Sequence, residues 1–283
     1  MKSEPTREPA VAGLFYPSEQ ATLLESIQRS FLDSRVGPGK LPPTVRSDER
    51  IYGIVSPHAG ISYSGAVAAN GFYEISRTNY KDIVLIGPNH YGIGSMVAIM
   101  NNGAWRTPLG TVEINSELAH LIEKNSKVIK GDEFAHSRDH CLEVQIPFFM
   151  FMWNNEFRIV PIVMIMQDMQ TSIDIGRSIA GAISGSETIL VASSDFTHYE
   201  SNEEAHRKDI KLIDSILALD VVSFYTILER ERVSACGYGA IASVMTAVKL
   251  CGATHGKLLR YATSGDVTGD RDAVVGYSSI AFV

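Results

Sequence analysis

Two rhythms of apolar and polar residues alternate along most of the chain. Short, nearly unbroken apolar runs occur at YGIVSP (52–57), DIVLIG (82–87), MVAIM (96–100), FRIVPIVMI (157–165) and TILVAS (188–193), and again at KLLRYAT (257–263) and DAVVGYSSIAFV (272–283). Runs of this length, bounded by Gly, Pro, Ser and Asp, predict strands buried on both faces. Between them, apolar positions recur every three or four residues, which predicts helices. The first is SEQATLLESIQRSFLD, with Ala21, Leu24, Ile27 and Phe31 on one face and Ser18 as N-cap. Others are AVAANGFYEIS, NSELAHLIEKN with Asn115 as cap, EVQIPFFMFMW and SIDIGRSIAGAI, then two helices from Asn202 to Arg230, and one in CGYGAIASVMTAVKL.

Buried strands separated by helices require a sheet covered on both sides. The expected fold is therefore a single α/β domain over residues 1–283, a three-layer α/β/α sandwich around a mixed, mostly parallel sheet. The closing strands supply antiparallel pairing. The Pro-rich stretch SRVGPGKLPPTVRSDER (34–50) predicts an exposed loop within that domain, and no repeat of 20–50 residues is evident.

Three of the apolar runs end in the same way. YGIVSPHAG leads into His58, DIVLIGPNHYG into His90, and TILVASSDFTH into Asp195 and His198. In sheets of this kind ligands bind where strands end and loops converge, so neighbouring strands would bring these imidazoles together. Two strand-end histidines offer two ligands for Zn, Fe, Cu or Ni, and catalytic metal sites usually take three protein ligands. Cys236, where a loop passes into the helical run GAIASVMTAVKL, is the candidate third. A position near a helix N-terminus is expected to lower its thiol pKa and favour the thiolate. The alternatives are a hydrogen-bonded structural histidine at each strand end and a small buried hydrophobe at Cys236.

A fourth cluster, FAHSRDHCLEVQIP (134–147), holds His136, Asp139, His140, Glu143 and Gln145. If it is helical, His140 and Glu143 share a face and form a histidine–carboxylate pair that orients substrate or supports a ligand. The alternative is a solvated, charged first turn. TSGDVTGD, with Asp266 and Asp270, predicts a tight loop.

Composition narrows the field. The chain has 283 residues, 45% hydrophobic and 20% charged, as in ordinary globular proteins. The net charge of −7, from 25 basic and 32 acidic residues without a basic block, argues against nucleic acid or an anionic membrane as partner. No apolar run approaches the ~20 residues of a membrane span and the start is too polar for a signal peptide, so a cytoplasmic location is expected. Cys141, Cys236 and Cys251 are too scattered for a disulfide framework, and reduced thiols are expected. Neither a G-x-S-x-G elbow nor a Walker loop is present, which leaves serine hydrolase and nucleotide-driven chemistry without support.

The segments RxPAVAGLFYP, SPHAGISYSG, GPNHYG, WRTPLG, DHCLEVQIPF, SSDFTHY, ACGYGA and YATSGDVTGD, in this order, resemble the Memo family across residues 7–277. Members of that family are similar in fold to LigB-type extradiol dioxygenases, non-haem iron enzymes that open catechol rings. The resemblance implies His58 and His90 as metal ligands and Cys236 where the dioxygenases use a glutamate. It implies His198 as the acid/base beside the metal, and in the redox reading Asp195 or His140 tunes that histidine. A divalent metal follows, iron or copper, with zinc as a third option, since a thiolate is softer than the carboxylate it replaces. Three functions stay open: a metal-dependent redox or dioxygenase-like enzyme acting on a small molecule, a binding module that holds a peptide or anionic ligand without turnover, and, ranked below both, a zinc hydrolase using the same ligands. The family is associated in animals with phosphotyrosine-bearing receptor segments, and microbial members with a radical-SAM system partner.

Overall fold

A computed structural model describes residues 5–43, 49–78, 80–183 and 185–283. Residues 44–48 of the expected exposed loop lie outside the described residues. The first half of the chain runs β1 (Thr6–Arg7), α1 (Gln20–Leu32), β2 (Gly53–Ser56), α2 (Ile61–Ile75), β3 (Asp82–Pro88), β4 (Val97–Ile99), β5 (Ala104–Thr107), β6 (Gly110–Glu113) and α3 (Ser116–Asn125). Then come β7 (Lys130–Gly131), α4 (Ile146–Trp153), β8 (Arg158–Met164), α5 (Met169–Ile183), β9 (Thr188–Ser193) and β10 (His198–Glu200). The chain closes with α6 (Asn202–Leu217), α7 (Val221–Glu231), α8 (Tyr238–Leu250), β11 (Gly256–Thr263), α9 (Ser264–Thr268) and β12 (Val274–Phe282).

The large sheet has the order β10-β12-β2-β9-β3-β8-β4-β7, with β11 paired to β12. Its centre, β2-β9-β3-β8, is parallel, and antiparallel strands flank it at β12 and β4. Every residue of β2 and β9 is buried, because helices cover both faces as the near-continuous apolar runs require. On one side α8 lies over β9 and β3 and packs against α5, which contacts α3; on the other, α2 lies against β2 and β12 and is flanked by α1 and α4. Phe72 of α2 stacks on Phe148 of α4 at 4.6 Å between ring centroids, joining two of the covering helices. The expected α/β sandwich with a mixed sheet is thus the fold.

Local departures have local causes. The first helix starts at Gln20 with Glu19 at the cap and no side-chain cap bond, so Ser18 does not cap it. Asn115 does cap α3, accepting from Leu118 N at 3.0 Å. The second helix begins at Ile61, ahead of the apolar stripe, directly after the His58 loop. TSGDVTGD holds a five-residue helix, α9, because Thr263 and Asp266 form a reciprocal capping box that favours a helical turn over the tight loop expected. A small sheet, β1-β5-β6, was outside the expectation: its strands are two to four residues long and the first reaches its partner across about a hundred residues of chain.

Candidate metal centre

Parallel pairing in register places the carboxyl ends of β2, β9 and β3 side by side: Ser56 pairs with Ser193, and Ile86 with Ala192. His58 and His90 each follow their strand by two residues, and Asp195 follows β9 by two. One edge of the sheet thus collects three of the candidate residues. His198 stands apart from the expected pattern, since it opens β10, a short edge strand bulged between His198 and Glu200.

The three donors of His58, His90 and His140 lie within 4.8 Å of one another. Ring centroids are 5.2 Å apart for His58 and His90, 5.3 Å for His58 and His140, and 4.5 Å for the stacked pair His90 and His140. Cys236 joins from one side, its Sγ 3.1 Å from His58 Nε2. The three-donor group the geometry brings together is therefore His58, His90 and His140, with Cys236 meeting it through His58, and His140 sits closer to the histidines than its expected supporting role required.

Hydrogen bonds fix the tautomers. The Ser193 hydroxyl donates its one proton to the Cys141 carbonyl at 2.6 Å, so it accepts from His58 Nδ1 at 3.0 Å. Nδ1 of His58 therefore carries the proton, and the Nε2 lone pair faces Cys236. Gln145 completes that support, donating to Ser193 Oγ at 2.8 Å and to Pro57 O at 3.0 Å. The Asp139 carboxylate, which only accepts, lies 3.0 Å from His90 Nδ1 and 2.6 Å from the His90 backbone N–H. Nε2 of His90 is left bare in the same way. His198 Nδ1 meets two carbonyls, Phe196 O at 2.6 Å and Ser234 O at 3.0 Å, so its Nε2 is also the proton-free nitrogen. The imidazoles of His58 and His90, each backed by an oxygen on Nδ1, offer the kind of donors that a transition metal takes.

Electrostatics keep His58 and His140 neutral. Burial, reinforced by the neighbouring imidazoles of His140 and His90, holds His58 well below the ordinary histidine range. Burial and then the nearby His90 bring His140 down to about 4. For Asp139, burial alone would raise the pKa, but hydrogen bonds from His90 and the Cys141 backbone outweigh it and hold the carboxyl well below its usual value. Replacing Asp139 by Asn removes the fixed acceptor behind His90 while keeping its size. We expect Asp139→Asn to weaken metal binding by about 10–100-fold in a competition titration, and an unchanged affinity would contradict the orienting role.

Cys236 departs from the expected activation. It precedes Gly237, the N-cap of α8, and its Sγ accepts from the Asp195 N–H at 3.2 Å. Burial, followed by the charge of Asp195, pushes this thiol up rather than down, outweighing the backbone N–H groups that lower it. In the absence of a positive ion, desolvation beats the helix terminus. Gly237 itself allows the approach: a Cβ there would run into the Ser193 carbonyl. Gln167 clamps the turn, donating to Cys236 O at 3.0 Å and accepting from Gly239 N at 2.8 Å.

Asp195 accepts from the backbone N–H of His58 at 2.8 Å and is raised to about 6 by burial. Behind His198, Asp209 of α6 accepts from Thr197 Oγ1 at 2.6 Å and from Tyr261 OH at 2.7 Å, and burial raises it to about 6 as well. An acid raised in the folded state gives a stability share that is present below its unfolded pKa and lost as the pH rises from about 4 to about 6, here about 3 kcal/mol. Asp209→Asn stays neutral throughout. Its stability relative to wild type is therefore expected to rise by about that amount between pH 4 and pH 7 in urea melts, and a constant difference would refute it.

Glu143 requires a correction. Residues 137–142 are not helical and Glu143 opens a 3₁₀ turn, so the i, i+3 pair with His140 does not form. Its fully buried carboxylate instead accepts from Arg7 at 2.6 Å, Tyr16 OH at 2.6 Å, Ala10 N at 2.9 Å and Val11 N at 3.1 Å. It ties the N-terminal segment down, and Phe15 in that segment lies 4.2 Å from the His140 ring. Arg7, Asp139, Gln145 and Ser193 were given no role from sequence. Their signal was present only as polar residues inside apolar or turn motifs, RxPAVAG, RDHC, EVQIP and TILVAS.

A family model described as Memo-like protein matches residues 7–281. The chain belongs to the Memo family. A MEMO1 family protein of Nitrosopumilus maritimus is 48% identical over 277 residues, covering 98% of this chain and 99% of that one. MEMO1 family proteins of Methanopyrus kandleri and Methanothermobacter thermautotrophicus are 45% and 46% identical, each with at least 97% of both chains covered. Among the described residues of this Memo family chain, no helix is long and apolar enough to cross a membrane.

Proposed function

We propose that this Memo family protein is a metal-dependent redox enzyme whose ion is held by His58, His90 and Cys236. The observation that carries the reading is the convergence of the His58 and His90 donors at the carboxyl end of the parallel strands, with the Cys236 sulfur 3.1 Å from His58 Nε2. A donor set of imidazoles and a thiol suits iron or copper, and the ion would supply Lewis acidity and one-electron chemistry toward a small oxygen-bearing substrate. His198 takes or returns the substrate proton through Nε2, its ring held by two carbonyls. Asp195 fixes the His58 loop through two backbone N–H groups.

The test is oxygen uptake by protein loaded with Fe(II) or with copper, offered catechols and phenols. His198→Ala should lower turnover by about 10²–10⁴-fold while keeping the metal. Equal turnover in wild type and variant would refute the assignment of His198. A second reading, a binding module without chemistry, draws support from Cys236 itself, because a thiolate in place of a carboxylate makes the site oxidisable. It predicts tight metal retention with no turnover of any substrate offered.

A further inference from the structure

Neither ring nitrogen of His140 makes a hydrogen bond to another described residue. Asp139 Oδ1 lies 3.8 Å from Nδ1, beyond hydrogen-bonding range. The side chain is only 16% exposed. Its nitrogens are not sealed off like the buried, unpartnered pair of His136, so an ion or water can reach them and supply the missing partner. The ring is also held firmly, between His90 at 4.5 Å and Phe15 at 4.2 Å. Its donor atom lies within 4.8 Å of those of His58 and His90, whereas the Cys236 sulfur meets the group on the His58 side.

We propose that His140 is a metal ligand, so that the ion is held among three imidazoles with the Cys236 sulfur as a fourth donor. The proposal rests on the metal-centre reading above and changes its ligand set. It also makes the site adaptable. Three imidazoles suffice for a divalent ion, and the thiol adds the soft donor that copper in its reduced state prefers. His140 thereby leaves the acid/base role to His198 alone.

Two measurements test it. The first is pulsed electron paramagnetic resonance of Cu(II) in Cys236→Ser protein, which removes the thiol beside His58, counting coordinated imidazoles through their remote nitrogens. Three imidazoles are expected, and two would overturn the proposal without touching the metal centre. The second is Co(II) affinity of His140→Gln and His140→Ala in the otherwise native chain, with thermal melts to establish that each is folded. A loss of at least about 100-fold is expected, larger than removal of an outer hydrogen-bond partner causes. Affinity within about threefold of wild type in a folded variant would overturn the proposal. Wild-type protein that binds neither ion would overturn both this ligand set and the reading on which it rests. If both variants fail to fold, the imidazole count alone decides.

Discussion

Glu143→Ala is expected to destabilise the protein by about 3–5 kcal/mol, lowering the melting temperature by about 5–10 °C. The carboxylate and the Arg7 guanidinium are both almost wholly buried, at 0% and 4% side-chain exposure. Arg7 also donates to the carbonyls of His136 and Asp139, at 2.6 and 2.8 Å, and lies over the Trp105 ring. Removing the acid leaves that cation buried without a counter-charge, along with two backbone N–H groups and the Tyr16 hydroxyl. Breaking one side of a buried pair costs far more than the pair's net contribution, because desolvation of the two ions offsets much of their attraction. The double variant Arg7→Met/Glu143→Met should therefore recover much of the loss. Urea unfolding of the three variants checks this, and a single-variant effect below about 0.5 kcal/mol would refute it.

The second large effect concerns the ion. Structural zinc sites with four ligands bind with about 10–16 kcal/mol, so one ligand accounts for roughly 3–4 kcal/mol, or about 10²–10³ in affinity. His58→Ala is expected to lose at least that much. His58 is the hub of the cluster, touching Cys236 through Nε2 and Ser193 through Nδ1, with its ring edge-on to both His90 and His140. His58→Ala/Cys236→Ala should abolish binding at micromolar metal. Titration against a competing chelator measures both, and retention equal to wild type in the folded variants would refute the assignment.

How much of this was legible in the sequence depends on the range over which each feature is encoded. Strands such as DIVLIG and TILVAS announce themselves because burial on both faces leaves no room for polar residues. The gathering of His58 and His90 was legible because both follow such strands by two residues. The His140 neighbourhood was not. It depends on a non-helical stretch at 137–142, which breaks the i, i+3 geometry that would have paired it with Glu143. Glu143 answers instead to Arg7, 136 residues earlier, and no local pattern encodes a contact of that span. Cys236 was legible in position but not in electrostatics. Proximity to a helix start is written in the sequence, whereas the burial that raises its pKa arises only when β9 and α8 come together.

The two corrections share a cause. In both, a rule about one helix was applied where packing between distant elements decides the outcome. For Glu143 the N-terminal segment supplies the donors. For Cys236 the Asp195 loop supplies both the N–H group and the unfavourable charge.

The account stands most directly on the metal content of the protein isolated anaerobically, with neither chelator nor added metal, from cells expressing wild type and His58→Ala/Cys236→Ala side by side. It predicts close to one iron or copper ion per wild-type chain and a nearly metal-free variant. Metal-free wild type, or equal metal in the two proteins, would contradict it.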